Sequence, residues 1–307
     1  MPVIIDTDES EAINLPDLVD YLNEAKIDTC DNDSMLSVGF MLKRLSNNRT
    51  FISDLALEEL KTRQNLGAGT NRYGPQVIML YSPQKQRQNF FLRANFWPAA
   101  NDHIYLSSGP EQFFYHHPHD HSFNFLTVGH FGPGYSSNYY TYDYENVDGY
   151  PGEVAGLKYV ETMALDEGKV MLYRACVDIH DQLPPESMSI SLNIMELSPR
   201  GGVCDQYSFD TGSGTVTNMI NRMSMASLMP LVAAAGGENA TDYLVNTLKS
   251  HNVGRVRVAA LRAMAAHATS RDACMQILRA GTSNDSSMVA GWARQELHRV
   301  EQLAVPA

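Results

Sequence analysis

The apolar residues in the first part of the chain recur at helical spacing. Across residues 15–65, leucine, valine and methionine lie three and four positions apart, which is the period of an amphipathic helix. The polar run Asp31–Ser34 stands before the second apolar segment and offers side chains that cap helix N-termini. The pattern predicts three short helices in a helical N-terminal segment over residues 1–75.

A different pattern runs through the middle of the chain. β-Branched and aromatic residues cluster there in short runs, separated by turns such as Gly132–Gly134. The runs are QVIMLYS, NFFLRANFW, SFNFLTVGHF, NYYTYDY, LKYVETMAL, KVMLYRACV and SMSISLNIMEL. Seven short strands without long helices between them predict a mainly β domain over residues 76–209, folded as an antiparallel barrel or sandwich.

Beyond the glycine-rich turn at Asp210–Gly214, the chain becomes rich in alanine, leucine and methionine. This change predicts a helical C-terminal region over residues 215–307. Two stretches in it, beginning at Asp242 and Asp272, resemble each other at an offset of about 30 residues. Paired helices at this period resemble HEAT-like repeats, which bury their apolar faces by stacking on neighbours. An ordinary helical cap on the β domain explains the pattern equally well, and both interpretations stay open.

The chain is acidic, with 23 Lys and Arg residues against 35 Asp and Glu and a formal net charge of -12. Without a basic excess to neutralise phosphates, nucleic acid and anionic membranes are poor partners. The start, MPVIIDTDESEAINLPDL, lacks the basic and apolar regions of a signal peptide. The four cysteines form no C-x-x-C pair, which is typical of reduced thiols. We therefore expect a cytoplasmic protein that binds neither nucleic acid nor membrane.

Five of the ten histidines fall within residues 116–130. Side chains two apart in a strand project to the same face, so His119 and His121 can bind a single ion. A third ligand should come from a distant strand, and His180 follows the run KVMLYRACV. Neutral imidazole suits iron, copper, zinc and nickel. An alternative register pairs His117 with His119.

The residues that follow the histidine pair keep a regular spacing. After His119 and His121 come three residues, Phe125, six further residues and Gly132. The first motif of the cupin superfamily has this spacing, with glutamate at the position that Phe125 occupies here. The segment therefore resembles the first cupin motif, with an aromatic residue in place of one metal ligand.

A second segment extends the resemblance. The second cupin motif runs Gly, five residues, Pro, one residue, Gly, two residues and His. The segment from Gly168 to His180 is one residue longer, with Arg174 and Cys176 at the usual proline and glycine positions. The resemblance covers about residues 76–200. It implies a cupin-like jelly roll, an antiparallel barrel or sandwich, in which His180 is the third metal ligand.

The missing glutamate narrows the chemistry that the resemblance implies. Three histidines without a carboxylate resemble the three-histidine iron sites of cysteine dioxygenase and other thiol dioxygenases among the cupins. Such a site leaves positions at which substrate and O₂ both bind Fe(II). The resemblance implies a mononuclear non-heme Fe(II) oxygenase acting on a small amino-acid-like or carboxylated substrate. It also implies a homodimer paired through sheet edges.

Two other functions stay open. A non-catalytic cupin would bind or sense a ligand without transforming it. A cupin hydrolase, lyase or isomerase would use Zn(II), Mn(II) or Ni(II) without O₂, because the ligand types suit other divalent metals as well.

Strand parity also selects side chains for the substrate. If the histidine pair faces the interior, Phe123 and Phe125 line the same wall and make it apolar. In the run NFFLRANFW, Arg93 and Asn95 share a face with two aromatic residues, a set suited to binding a carboxylate. Arg93 is the candidate anchor and Arg174 the second choice. Opposite parity would place Arg93 on a solvent face.

The run NYYTYDY supplies the candidate catalytic residues. Tyr140 and Tyr142 share one face of this strand, and a tyrosine hydroxyl near the metal would orient O₂ or donate a proton. Most tyrosines in strands serve packing instead. Asp120 is the carboxylate nearest to the histidine pair in sequence, but strand parity places it on the opposite face, outside the metal shell.

Overall fold

The computed structural model describes residues 1–66, 76–83, 88–200, 204–221 and 224–302. The chain divides into two compact units, one of Met1–Tyr142 with Leu157–Gly201 and one of Asp143–Gly156 with Gly202–Ala307. More of the described residues lie in helices than in strands, so "mainly β" understates the helical content. The domain boundaries expected near residues 75 and 209 stay predictions.

Four helices stand at the start of the first unit: α1 (Leu15–Ala25), α2 (Asn32–Leu36), α3 (Gly39–Asn47) and α4 (Phe51–Leu66). The predicted second helix is divided into two, because Val38 leaves helical geometry and becomes the N-cap of α3. Asp31 caps α2 by accepting a hydrogen bond from the Ser34 amide at 2.8 Å. A Cβ at Gly39 would lie 2.7 Å from the Ile5 side chain, so this glycine lets α3 pack closely.

The described part of the first unit contains nine strands. They are β1 (Val3–Ile5), β2 (Val77–Tyr81), β3 (Phe90–Trp97), β4 (Phe125–Phe131), β5 (Ser136–Thr141), β6 (Lys158–Ala164), β7 (Val170–Tyr173), β8 (Asp178–Leu183) and β9 (Ser189–Glu196), with α5 (His103–Ser108) between β3 and β4. One sheet has the order β1-β7-β4-β9-β3-β2 and the other the order β6-β5-β8. Every pairing in the two sheets is antiparallel, which is consistent with the expected sandwich.

The two faces of the six-stranded sheet pack against different partners. On one face, residues such as Leu92 and Leu126 form a core with Leu18 and Leu42 of the helices. On the other face, a second cluster contains Tyr139 of β5 together with sheet residues. The sheet residues of that cluster are Trp97, Phe125, Met171, Tyr173 and Met195. The odd-numbered positions of β3, β7, β9 and the first part of β4, up to the register shift after Gly129, therefore face the three-stranded sheet.

The described residues of the second unit form one hairpin and five α-helices. The hairpin is β10 (Tyr207–Asp210) and β11 (Thr215–Met219), and the helices are α6 (Ser224–Ala235), α7 (Glu238–Ser250), α8 (Gly254–Ala266), α9 (Arg271–Gly281) and α10 (Ser287–Gln302). Helix α8 is central, because Val256 packs with Leu244 of α7 while Leu261 packs with Leu278 of α9.

The two similar sequence stretches fall on consecutive helix pairs, α7 with α8 and α9 with α10. This order is common to a HEAT-like repeat and to an ordinary helical cap, so both interpretations stay open. Among the described helices, none combines the length and the apolar character that crossing a bilayer requires.

Candidate metal centre

Backbone pairing between two distant segments builds the centre. His119 lies before β4 and His180 lies in β8, and the two residues form an isolated antiparallel bridge. The His119 amide donates to the His180 carbonyl at 3.1 Å, and the His180 amide donates back at 3.0 Å. The His121 carbonyl accepts from the Cys176 amide at 2.7 Å. These bonds hold the histidine pair of one segment against the third histidine.

The three imidazoles converge. Nε2 of His180 lies 3.1 Å from Nε2 of His121 and 3.3 Å from Nε2 of His119, and all ligand atoms lie within 4.8 Å of one another. Nitrogen ligands at about 2.0–2.1 Å from one metal ion are about 3.0–3.4 Å apart in octahedral or tetrahedral geometry. The separations of 3.1 and 3.3 Å fit that spacing, so this buried group could hold a metal ion.

A hydrogen bond from Nδ1 of His119 fixes the tautomer in which Nε2 can bind a metal ion. This Nδ1 lies 2.6 Å from the His117 carbonyl oxygen. Because a carbonyl only accepts, Nδ1 carries the proton and Nε2 keeps a free lone pair. His117 thus contributes its backbone, and its ring lies 5.8 Å from the His119 ring. The group of three contains His121 and not His117.

Burial keeps the imidazoles neutral. It lowers the pKa of His119 to about 4 and the pKa of His121 and of His180 well below the usual 6.5. Mutual proximity adds to the effect, because a second positive charge in the cluster is unfavourable. Neutral imidazole is the form that binds metal, so the cluster needs no deprotonation at neutral pH.

Aromatic side chains form one wall of the centre. The rings of Phe123 and Phe125 each lie 4.9 Å from the His121 ring, and Phe125 stacks on Tyr173 at 4.4 Å. The structure therefore brings both phenylalanines to the histidines. The position at which the cupin motif carries glutamate is apolar here.

Arg93 lies on the interior face of β3. It is opposite Asn193 in the register, and burial lowers its pKa to about 10, so it stays charged at neutral pH. Its charge contributes to the lowered pKa of His121, which places it near the metal cluster. Among the described residues its buried Nε has no hydrogen-bond partner. Asn95, two residues further along the same face, is also buried.

Arg174 is engaged elsewhere. Its guanidinium forms two hydrogen bonds with the Asp178 carboxylate, at 3.0 and 2.8 Å, and donates to the Met1 carbonyl at 2.9 Å. The hydrogen bonds to Asp178 are the main cause of the raised pKa of Arg174. Arg174 is therefore already paired with a carboxylate of the protein, that of Asp178.

The described contacts of the two candidate catalytic tyrosines are with residues other than the three histidines. Tyr140 is opposite Ile179 in the register, next to and not level with His180, and its ring packs on Tyr159 at 5.5 Å. Tyr142 donates to Asp120 at 2.6 Å. Asp120 is buried and stands between His119 and His121 in the sequence. This hydrogen bond therefore connects Tyr142 to the segment that carries the two histidines.

Two other tyrosines, Tyr139 and Tyr173, adjoin His180. Tyr139 is opposite His180 in the register, and its hydroxyl lies 2.8 Å from that of Tyr173. The Tyr173 ring lies 5.0 Å from the His180 ring. Tyr139 stands in the same run as Tyr140, and only the register with β8 decides which of them shares the face of His180.

No protein-family model and no curated protein sequence matches the chain. Among solved structures, the chain is similar to one from the crystal structures of the DMSP lyases RdDddP and RnDddQII. The two share 14% sequence identity over 63% of this chain and 77% of that chain, with a TM-score of 0.27. A likeness this distant defines neither the fold nor the reaction of this protein.

Proposed function

We propose that this protein is a cupin-like enzyme, a mononuclear non-heme Fe(II) oxygenase acting on a small amino-acid-like or carboxylated substrate. The observation that carries the proposal is the set of buried neutral imidazoles of His119, His121 and His180, with Nε2 separations of 3.1 and 3.3 Å. When bound there, Fe(II) supplies positions for O₂ and substrate that the three ligands leave open.

The surrounding side chains would bind and orient the substrate. Arg93 presents a guanidinium that binds a carboxylate through two parallel hydrogen bonds, and its unpaired Nε supports this role. Phe123 and Phe125 exclude water beside His121. Tyr142 acts as a positioning residue, because its hydrogen bond to Asp120 holds the segment between the two histidines.

A metal-dependent hydrolase, lyase or isomerase is the second candidate. The same nitrogen separations suit tetrahedral Zn(II), and imidazole also binds Ni(II). A non-catalytic ligand-binding protein would use the same Arg93 anchor. The three functions differ in whether O₂ is consumed and whether the bound acid is transformed.

Oxygen uptake tests the proposal. The Fe(II)-loaded protein is mixed with a panel of amino acids, thiol carboxylates and hydroxy acids under air and under nitrogen, beside the Zn(II)-loaded protein. We expect substrate-dependent O₂ consumption only with Fe(II), lost in His121→Ala and kept in His103→Ala, which changes an exposed histidine. Turnover of an acid under nitrogen, or binding of an acid without turnover, would overturn the oxygenase assignment.

A further inference from the structure

Three polar side chains form a row across the centre of the six-stranded sheet. Asn193 of β9 is opposite Arg93 of β3 on one side and opposite Thr127 of β4 on the other. All three occupy the face that looks toward the three-stranded sheet, because their neighbours Leu126 and Leu192 pack into the helical core on the other face. Thr127 is 0% and Asn193 is 3% exposed.

The row carries hydrogen-bonding atoms that the protein leaves unused. Among the described residues, Thr127 Oγ1, Asn193 Nδ2 and Arg93 Nε are buried without a partner, as is Asn95 Oδ1. Buried polar atoms in native proteins nearly always have a partner. Several such atoms on adjacent strands, all facing one way, indicate that a bound molecule completes them.

Equivalent residues elsewhere in the same unit are fully engaged. The Asn124 amide donates to the carbonyls of Thr29 and Cys30 at 3.1 and 3.2 Å, and its Oδ1 accepts from the Ala175 amide at 2.7 Å. The Thr29 hydroxyl donates to the Asn89 carbonyl at 2.8 Å. Other buried polar atoms of this unit also lack a partner among the described residues, namely Ser137 Oγ, His180 Nδ1, Asp181 Oδ1 and Gln182 Oε1, but they lie on the three-stranded sheet and not in the row.

The row lies beside the candidate metal centre. Thr127 follows Phe125 on the same face of β4, and the Phe125 ring contacts the His121 ring. A molecule bound near the histidines would therefore lie against the row.

We infer that Thr127 and Asn193 form, with Arg93, a subsite that binds a second polar group of the substrate next to its carboxylate. The inference rests on the proposed function, in which Arg93 binds the carboxylate. Asn193 offers an N–H donor and Thr127 a hydroxyl that donates or accepts. The ligand class is thus a small hydroxy or amino acid, because a plain aliphatic acid would leave the row unpaired.

Melting temperatures of isosteric variants test whether the row is reserved for a ligand. Thr127→Val and Asn193→Leu remove unpaired polar groups, so we expect them to keep or raise the melting temperature of the ligand-free protein. The matched controls Thr29→Val and Asn124→Leu break existing hydrogen bonds and should lower it by about 2–4 °C or more. A loss in the row variants equal to that of their controls would show that the row is structural and overturn the inference.

Ligand titration tests what the row binds. L-Lactate and propionate, which differ by one hydroxyl, are titrated calorimetrically into the metal-loaded parent protein, Thr127→Val and Asn193→Leu. We expect the parent to prefer lactate and each variant to lose about three- to tenfold of that preference, with propionate affinity unchanged. Chelation of the metal by lactate is common to all three proteins and does not affect the comparison.

The outcomes separate the subsite from the proposed function. An unchanged lactate preference in both variants, or no lactate binding to the parent, would overturn the subsite. If the parent protein binds no metal or consumes no O₂ with any acid tested, the proposed function is overturned. The melting temperatures of the row variants still test the row in that case. Arg93→Lys should weaken both acids, since both carry the carboxylate.

Discussion

Arg93 is a partly buried cation whose buried Nε has no hydrogen-bond partner among the described residues. Burying a charge without a counter-ion costs stability, and a bound carboxylate would offset that cost. The lowered pKa of about 10 still leaves the guanidinium charged at neutral pH. At the scale of single residues, our proposal of an anionic substrate rests on this side chain.

Arg93→Lys should weaken binding of a carboxylated substrate although the positive charge survives. Lysine cannot form the two parallel hydrogen bonds of a guanidinium. Losing a charge-assisted bond costs about 1.5–3 kcal/mol, which raises the dissociation constant about tenfold to hundredfold. Titration calorimetry measures the change, and unchanged metal content is the control. Equal affinity in the Lys variant would place the anchor elsewhere.

The sequence predicts the three histidines of the candidate centre, and the structure brings them together. His119 and His121 precede β4, so the pairing of His119 with His180 positions them and not alternation along a strand. The sequence pattern does not identify Asn193 or Tyr139 as neighbours of the site. Only the strand register places Asn193 beside Arg93 and Tyr139 beside His180. Register depends on pairings between distant strands, which one sequence does not display.

Short helices in this protein depend on their caps. Helix α2 has five residues, too few to be stable through its own hydrogen bonds. The Asp31 carboxylate accepts the Ser34 amide at 2.8 Å, which satisfies a donor that the helix start leaves free. The cap and the buried Met35 together hold this element.

Asp31→Ala should therefore destabilise the protein by about 0.5–2 kcal/mol. The free energy of unfolding in urea measures the loss. Asp33→Ala is the matched control, because Asp33 is also an exposed aspartate of this segment but does not cap α2. Equal losses in both variants would show that the cap contributes nothing.

The division between α2 and α3 shows what periodicity leaves out at the scale of elements. Met35, Val38 and Met41 are all buried and keep helical spacing across the break at Val38. The apolar pattern continues because both helices cover the same core. Because the break keeps the buried face in place, it leaves the apolar periodicity intact, and the sequence pattern does not reveal it.

At the scale of the whole molecule, the composition of the sequence and the contacts in the structure divide the chain at different residues. The composition changes beyond Gly214, whereas residues 143–156 belong with the second unit. Long-range bonds place them there, such as the Gly152 amide donating to the Val216 carbonyl at 2.8 Å. A segment that leaves one unit and joins another carries no compositional signature. The three histidines all lie in the first unit.

Metal stoichiometry of the purified protein tests the central claim most directly. We predict about one divalent ion per chain, and its loss from His119→Ala, His121→Ala and His180→Ala, because each variant removes one ligand of a three-nitrogen site. His103→Ala should keep the ion, and unchanged circular dichroism shows that the chains are folded. Full occupancy in all three ligand variants would contradict the assignment of the metal centre.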